Sequence, residues 1–182
     1  MTNPSIEVNP MNDLPALVKE PQSVVVARFQ DCDPFGHLNN ARYIDYFLNA
    51  RQDHLVTYYD FRTYEPGMQA SWVVRNTQIA YLRPVAAMEE VLIRTRLIEF
   101  AETSLLVEGL MLDKQGRSLK SLIWFDFVYI SLASARPVKH TEELVQRFES
   151  VVVPGVYDPD GFRRRVDTVR MEVRKGAGGS EQ

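Results

Sequence analysis

The run DCDPFGHLNN, Asp31 to Asn40, puts two aspartates, a histidine and two asparagines within ten positions. An apolar segment, SVVVARF (23–29), precedes it and an aromatic-rich one, ARYIDYF (41–47), follows. Pro34 and Gly36 are turn residues, because proline fixes φ and glycine permits positive φ. The chain is therefore expected to leave a strand near Gln30, turn through 31–38 and begin a helix at Asn39 or Asn40. Backbone N–H groups of a first helical turn have no partner within the helix. They can hold an anion or a polarised carbonyl oxygen. A carboxylate placed beside such donors makes a hydrolytic pair. The donors stabilise a developing oxyanion, and the carboxylate attacks or takes a proton from water. His37 falls within reach of the same place. Asp, Asn, Pro and Gly before a helix are also ordinary turn and capping residues. The stretch has no H-x-x-x-H pair and no cysteine cluster, so no metal site and no cofactor is expected.

The elements that must position these groups are legible from periodicity. From Ala41 to Tyr59 there is no Gly or Pro, and Tyr43, Phe47 and Ala50 share one face, with Ile44, Leu48 and Leu55 beside it. That predicts a long, well-buried helix. Strands are predicted at 23–29, 71–82, 90–100, 103–113 and 118–131, from β-branched and aromatic runs with period-two alternation. The last is apolar on both faces near its middle, as an interior or interface strand would be, with Asp126 needing a partner if buried. TEELVQRFESV (141–151) reads as a short helix capped by Thr141. Strands in a meander over one central helix give an α+β fold with a curved antiparallel sheet. The basic stretch GFRRRVDTVRMEVRK (161–175) is left open between a surface strand, a helix and an oligomer contact.

The 182 residues suffice for one domain with tails. We place a loose N-terminal arm at 1–20, the folded domain at 21–150 and a C-terminal extension at 151–182 that becomes a mobile tail from Gly176. A net charge of −3 disfavours nucleic-acid binding through phosphate contacts. Cys32 is the single cysteine, which excludes an intrachain disulfide and suits a reducing compartment. No run of about 18 apolar residues is present and the N-terminus lacks a signal-peptide pattern. The expectation is a soluble cytoplasmic protein that meets neither nucleic acid nor membrane.

RFQDCDPFGHLNNARYIDYF (28–47) resembles the motif of the hotdog-fold thioesterases of the 4-hydroxybenzoyl-CoA and acyl-CoA thioesterase group. The D-C-D-P-x-G core is similar to that of the bacterial 4-hydroxybenzoyl-CoA enzymes. The G-H-L-N-N-A-R-Y continuation is similar to long-chain acyl thioesterases, including the plant acyl-carrier-protein branch. The likeness extends over residues 22–131. It implies a hotdog fold, in which a five-stranded antiparallel sheet wraps a long central helix. It implies hydrolysis of acyl-CoA or acyl-carrier-protein thioesters. Asp33 takes the place of the family's catalytic carboxylate, as nucleophile or general base. The N–H near Asn40 takes the place of the group that polarises the thioester carbonyl, and His37 that of an assisting histidine. Where the carrier-protein branch has Asn between the Asp and the His, this chain has Phe35, which leaves the simpler carboxylate mechanism ahead. Cys32 is expected to pack rather than react.

The family also implies a homodimer or a dimer of dimers, with each site at a subunit interface. Residues 70–76, including Trp72 and Val73, are the candidate wall offered to the partner. Tyr43 and Phe47 are candidates to line an acyl tunnel, and Arg83, with Arg136 or Lys139, to meet CoA phosphates. Two other activities share the fold. The hydratases carry D-x-N-P-x-H, whereas here Asp31 to His37 is one residue longer and Asp33 stands where Asn would be. A non-catalytic acyl-CoA binder has no need of a carboxylate beside the carbonyl.

Overall fold

The computed structural model describes residues 17–63, 66–158 and 160–178. Most of the expected N-terminal arm, residues 1–16, and the last four of the expected tail lie outside them. Five strands form one antiparallel sheet: β1 (Gln22–Val26), β2 (Ala70–Tyr81), β3 (Glu90–Phe100), β4 (Ser104–Asp113) and β5 (Leu119–Ser131). Their spatial order is β1-β3-β4-β5-β2. The meander β3-β4-β5 is thus contiguous, and β1 and β2 are added at its two edges. Helix α1 (Asn40–Tyr59) enters between β1 and β2, as the periodicity predicts.

One face of the sheet holds α1. Tyr43, Phe47 and Ala50 are buried against Ile93, Met111, Ile123 and Phe125. Phe47 lies so close to β4 that a Cβ on Gly109 would stand 2.7 Å from its ring. Only glycine allows that approach of helix to sheet. The buried stripe of α1 continues to His54, while Ile44, Leu48 and Leu55 beside it are half-buried. β5, predicted to be apolar on both faces, is an interior strand between β4 and β2. Asp126 takes a two-pronged bond from Arg75, with Nε 3.0 Å from Oδ2 and Nη2 3.0 Å from Oδ1.

Strand β1 ends at Val26, earlier than predicted. The chain then bends into one 3-10 turn, Phe29–Asp31. The Arg28 N–H donates to the Tyr46 hydroxyl at 2.9 Å instead of to a strand, which draws the chain over α1 and towards its start. Helix α2 (Glu142–Val151) begins at Thr141, whose hydroxyl accepts from the Leu144 N–H, and buries Phe148 in the inner core.

The open stretch after 160 is a helix, α3 (Phe162–Gly178). Its first turns cover the other face of the sheet. Val166 and Val169 pack on Leu110, Leu112, Leu122 and Trp124. Gly176, where the mobile tail was expected to begin, still lies within it. Beneath α3 sits a buried ionic cluster. Glu108 is 0% exposed and accepts from Arg96 Nε at 2.9 Å, Arg165 Nε at 2.9 Å and Trp124 Nε1 at 2.9 Å. Arg96 also pairs with Glu20, so the cluster ties the chain before β1, the sheet and α3 together. Burial opposes ionisation of Glu108, but the Arg165 hydrogen bond and the charges of Arg96 and Arg165 hold its pKa below the usual value.

Candidate active site

The turn 31–39 is a small hairpin that closes on the start of α1. The Asn39 N–H donates to Asp31 O at 2.9 Å, and the Asp33 N–H donates to His37 O at 2.7 Å. Cys32 and Leu38 form an isolated antiparallel bridge between these two pairs. At the tip, the Gly36 N–H donates to Asp33 O at 3.0 Å, and Gly36 has φ of +78°, which an L side chain would strain. Leu38 fastens the hairpin to the body through its N–H, 2.8 Å from Val85 O.

Within this frame one oxygen of Asp33 is fixed. Oδ1 accepts from the Phe35 N–H at 2.9 Å and the His37 N–H at 3.1 Å. The other oxygen has no partner among the described residues, and the side chain is half-buried. Asn39, not Asn40, caps α1, with its Oδ1 3.0 Å from the Ala41 N–H. The Arg42 N–H returns to Asn39 O at 2.8 Å. The Asn40 N–H is left without a partner among the described residues, as the first turn of a helix leaves it. Tyr81, at the end of β2, pins this first turn by donating its hydroxyl to Asn40 O at 2.9 Å.

The neighbouring groups are engaged or silent. Asp31 Oδ2 accepts from the Tyr46 hydroxyl at 2.9 Å, and Arg42 lies 3.6 Å from Oδ1. Burial, then the charges of Asp31 and Asp33, push the Cys32 thiol pKa up, and its Sγ donates to Arg28 O. A raised pKa keeps it a thiol at neutral pH. His37 is exposed beside Asp33. Phe35 is 84% exposed and Phe29 79%, so two large aromatics stand open next to the carboxylate.

The remaining residues singled out from the sequence do not all gather here. Tyr43 and Phe47 are 2% and 0% exposed, placed as core beneath the sheet. Tyr43 packs edge-on against Tyr81, at 5.1 Å between centroids, and so reaches the site only through that ring. Trp72 and Val73 lie at the start of β2, whereas the residue that touches Asn40 lies at its end. Nine residues of strand separate Trp72 from Tyr81, about 30 Å at ~3.3 Å per residue. Arg83 is exposed just past β2, at the same end of the sheet as Asp33, with its N–H on Lys120 O.

Sequence reasoning missed two buried histidines. His54 Nδ1 is 2.8 Å from Thr95 Oγ1 and its Nε2 is 2.9 Å from Ser23 Oγ, linking α1 to β3 and β1. The period that placed Tyr43, Phe47 and Ala50 inward reaches 54 as well, and that was its one available signal. His140 accepts from Trp72 Nε1 at 3.0 Å, so its Nδ1 carries the hydrogen given to Ala101 O at 3.0 Å. Burial lowers the pKa of both.

Known proteins share this architecture. Residues 27–148 match the model of the thioesterase-like superfamily. The chain belongs to that superfamily. The match spans the hairpin, α1, all strands after β1 and most of α2, and it makes the enzyme a thioester hydrolase. The long-chain acyl-CoA thioesterase FadM of Escherichia coli (strain K12) is 26% identical over 132 residues, covering 72% of this chain and 98% of FadM. The solved structure of YbaW, a probable thioesterase from Escherichia coli, shares the fold with a TM-score of 0.63 and 24% identity, over 72% of this chain and 98% of that one. A thioesterase from Thermus thermophilus, solved with coenzyme A and Zn, has a TM-score of 0.57 and 25% identity, over 74% and 95%. The fold is therefore the hotdog that the motif implies. Helix α3 lies beyond the region matched to the superfamily. Among the described residues no helix is long and apolar enough to cross a membrane.

Proposed function

We propose that the protein hydrolyses acyl thioesters of coenzyme A or of an acyl carrier protein, with Asp33 as the reacting carboxylate. The observation that carries this reading is the asymmetry of Asp33. Among the described residues one oxygen is locked by two backbone donors while the other is unpartnered, in a hairpin that closes on the unpaired N–H of Asn40. A thioester whose carbonyl oxygen points at the Asn40 N–H presents its carbonyl carbon to the free oxygen. That carboxylate either attacks, expelling the thiolate and leaving an anhydride for water to cleave, or removes a proton from the attacking water. In both routes the N–H stabilises the tetrahedral oxyanion and the departing thiolate gains a proton. His37, exposed on the same hairpin, orients water or supplies that proton.

The site is shared between two copies. β2 is an edge strand of 12 residues with its outer side unpaired, and Val73 and Val74 are each 41% exposed on it. A long apolar edge is a template for strand pairing. Antiparallel pairing of two such edges about a two-fold axis brings the start of one β2 to the end of the other. Trp72 and Val73 then approach the partner's helix start and wall its thioester. Arg83, exposed at that end, meets the phosphates of coenzyme A.

The test is hydrolysis across acyl-CoAs with short, long and aromatic acyl groups, beginning with the long-chain class named for FadM. Turnover on one class supports the reading. Absence of turnover on every acyl-CoA and on acyl-carrier-protein esters contradicts it.

A further inference from the structure

At the far end of α1 from Asp33 lies a partly open cavity of about 90 Å³ between the helix, the sheet and α2. Its walls are apolar, from Leu55, Phe61, Trp72, Leu105, Val107 and Phe148 among others. Among the described residues no Asp or Glu lines it, yet three arginines do. Two of these are compensated. Arg96 pairs with Glu108 and Glu20. Arg147 donates to Tyr59 O at 3.2 Å and stands 3.8 Å from Glu143.

Arg51 has no such partner. It follows Phe47 by one helical turn, so its stem runs along the inward stripe of α1. Its guanidinium carbon sits 4.4 Å from the centre of the Phe127 ring, on the inner face of β5. Among the described residues no carboxylate pairs with it. Burial lowers its pKa to about 10, with no neighbouring negative charge to offset that. Arg51 is half-buried among apolar side chains, where a cation without a counter-ion gives up hydration that no carboxylate replaces. The other polar groups in the wall are spoken for, since His54 and Thr95 bond to each other.

We propose that this cavity is a second binding site, for a small monocarboxylic acid. The carboxylate pairs with the two-pronged donor of Arg51, and a short hydrocarbon chain fills the apolar walls. Guanidinium and carboxylate match in geometry as well as charge. The volume limits the buried group, since a cavity of about 150 Å³ is what holds a benzene ring.

The experiment titrates butanoate and hexanoate, with butanol and hexanol as neutral controls, into 15N-labelled protein. The spectrum has an indole N–H for each tryptophan, and that of Trp72 lies in the cavity wall. The expected result is saturable binding of the acids and not the alcohols, seen as a shift of the Trp72 indole. Arg51→Met should weaken it by about tenfold or more, the loss of one charge-assisted contact, and Arg51→Lys should retain part of it. Asp33→Asn should leave the affinity unchanged. A circular dichroism spectrum identifies any variant that fails to fold, and Arg51→Lys then carries the comparison. Equal binding of alcohols and acids, undiminished binding by Arg51→Met, or no binding to the wild type would overturn the proposal. A change of affinity in Asp33→Asn would move the acid to the thioester site and overturn it too. Failure here leaves the reading of Asp33 untouched, because that rests on turnover.

Discussion

Two carboxylates in this molecule sit in opposite circumstances. Glu108 is wholly buried on the outer face of the sheet, and both its oxygens are taken by Arg96, Arg165 and Trp124. Asp33 is half-buried at the tip of a hairpin, with one oxygen fixed and one free. Both are held firmly, so rigidity does not distinguish them. What distinguishes them is unspent bonding capacity. A saturated carboxylate holds structure, because any reaction would cost it bonds it already has. A carboxylate with an open lone pair has room for a substrate.

That contrast can be broken or sharpened by mutation. The largest effect is expected from Asp33→Asn, which keeps the hairpin bonds of Oδ1 and removes the charge. It should lower kcat by roughly 10³-fold, about 4 kcal/mol of transition-state stabilisation, with KM nearly unchanged. Steady-state kinetics on the best acyl-CoA would read this. Next comes Glu108→Gln. It removes the buried charge that Arg96 and Arg165 share and leaves them only the more exposed Glu20 and Glu172, so urea denaturation should show a loss of about 3 kcal/mol. The kcat of the folded fraction should stay near wild type. An unchanged midpoint would mean that the cluster under α3 does not hold the fold. His37→Ala should cost about 10–100-fold in kcat if the ring orients water or supplies a proton. A loss equal to that of Asp33→Asn would make the two a single catalytic unit.

The smallest effect concerns acid. His54 and His140 have lowered pKa values in the folded protein, so the folded state binds fewer protons than the unfolded one below pH 6.5. Their contribution to stability is complete above that pH and is lost as pH falls through the lowered folded values. Glu108 adds a second loss further down, because its folded pKa is below the ordinary 4.5. Thermal melts should therefore show Tm flat above about pH 7 and falling below about 6.5. A Tm that rises on acidification would contradict the neutral roles given to both rings.

Much of this molecule is legible in its sequence. The element order through α2, the central helix, a cap at Asn39 or Asn40 and the Thr141 cap follow from periodicity and side-chain chemistry that act over a few residues. The turn and the helix start are legible for the same reason, since the whole segment is local. What the sequence hides is non-local. Arg51 looks like any arginine on a helix until the sheet closes over it. Glu108 reads as the polar residue of an alternating strand, and its burial depends on α3, more than fifty residues later. β1 stops early because Tyr46, on the next element, captures Arg28. The distance of Trp72 from Asn40 is hidden too, because it depends on which end of β2 the fold brings to the start of α1.

The most direct test of the central claim measures kcat and Tm together for Asp33→Asn and Glu108→Gln. We predict a crossed pattern. Asp33→Asn loses turnover and keeps the wild-type Tm, while Glu108→Gln loses Tm and keeps turnover below its melting transition. Full turnover by Asp33→Asn would show that the open carboxylate is not where the thioester is cleaved.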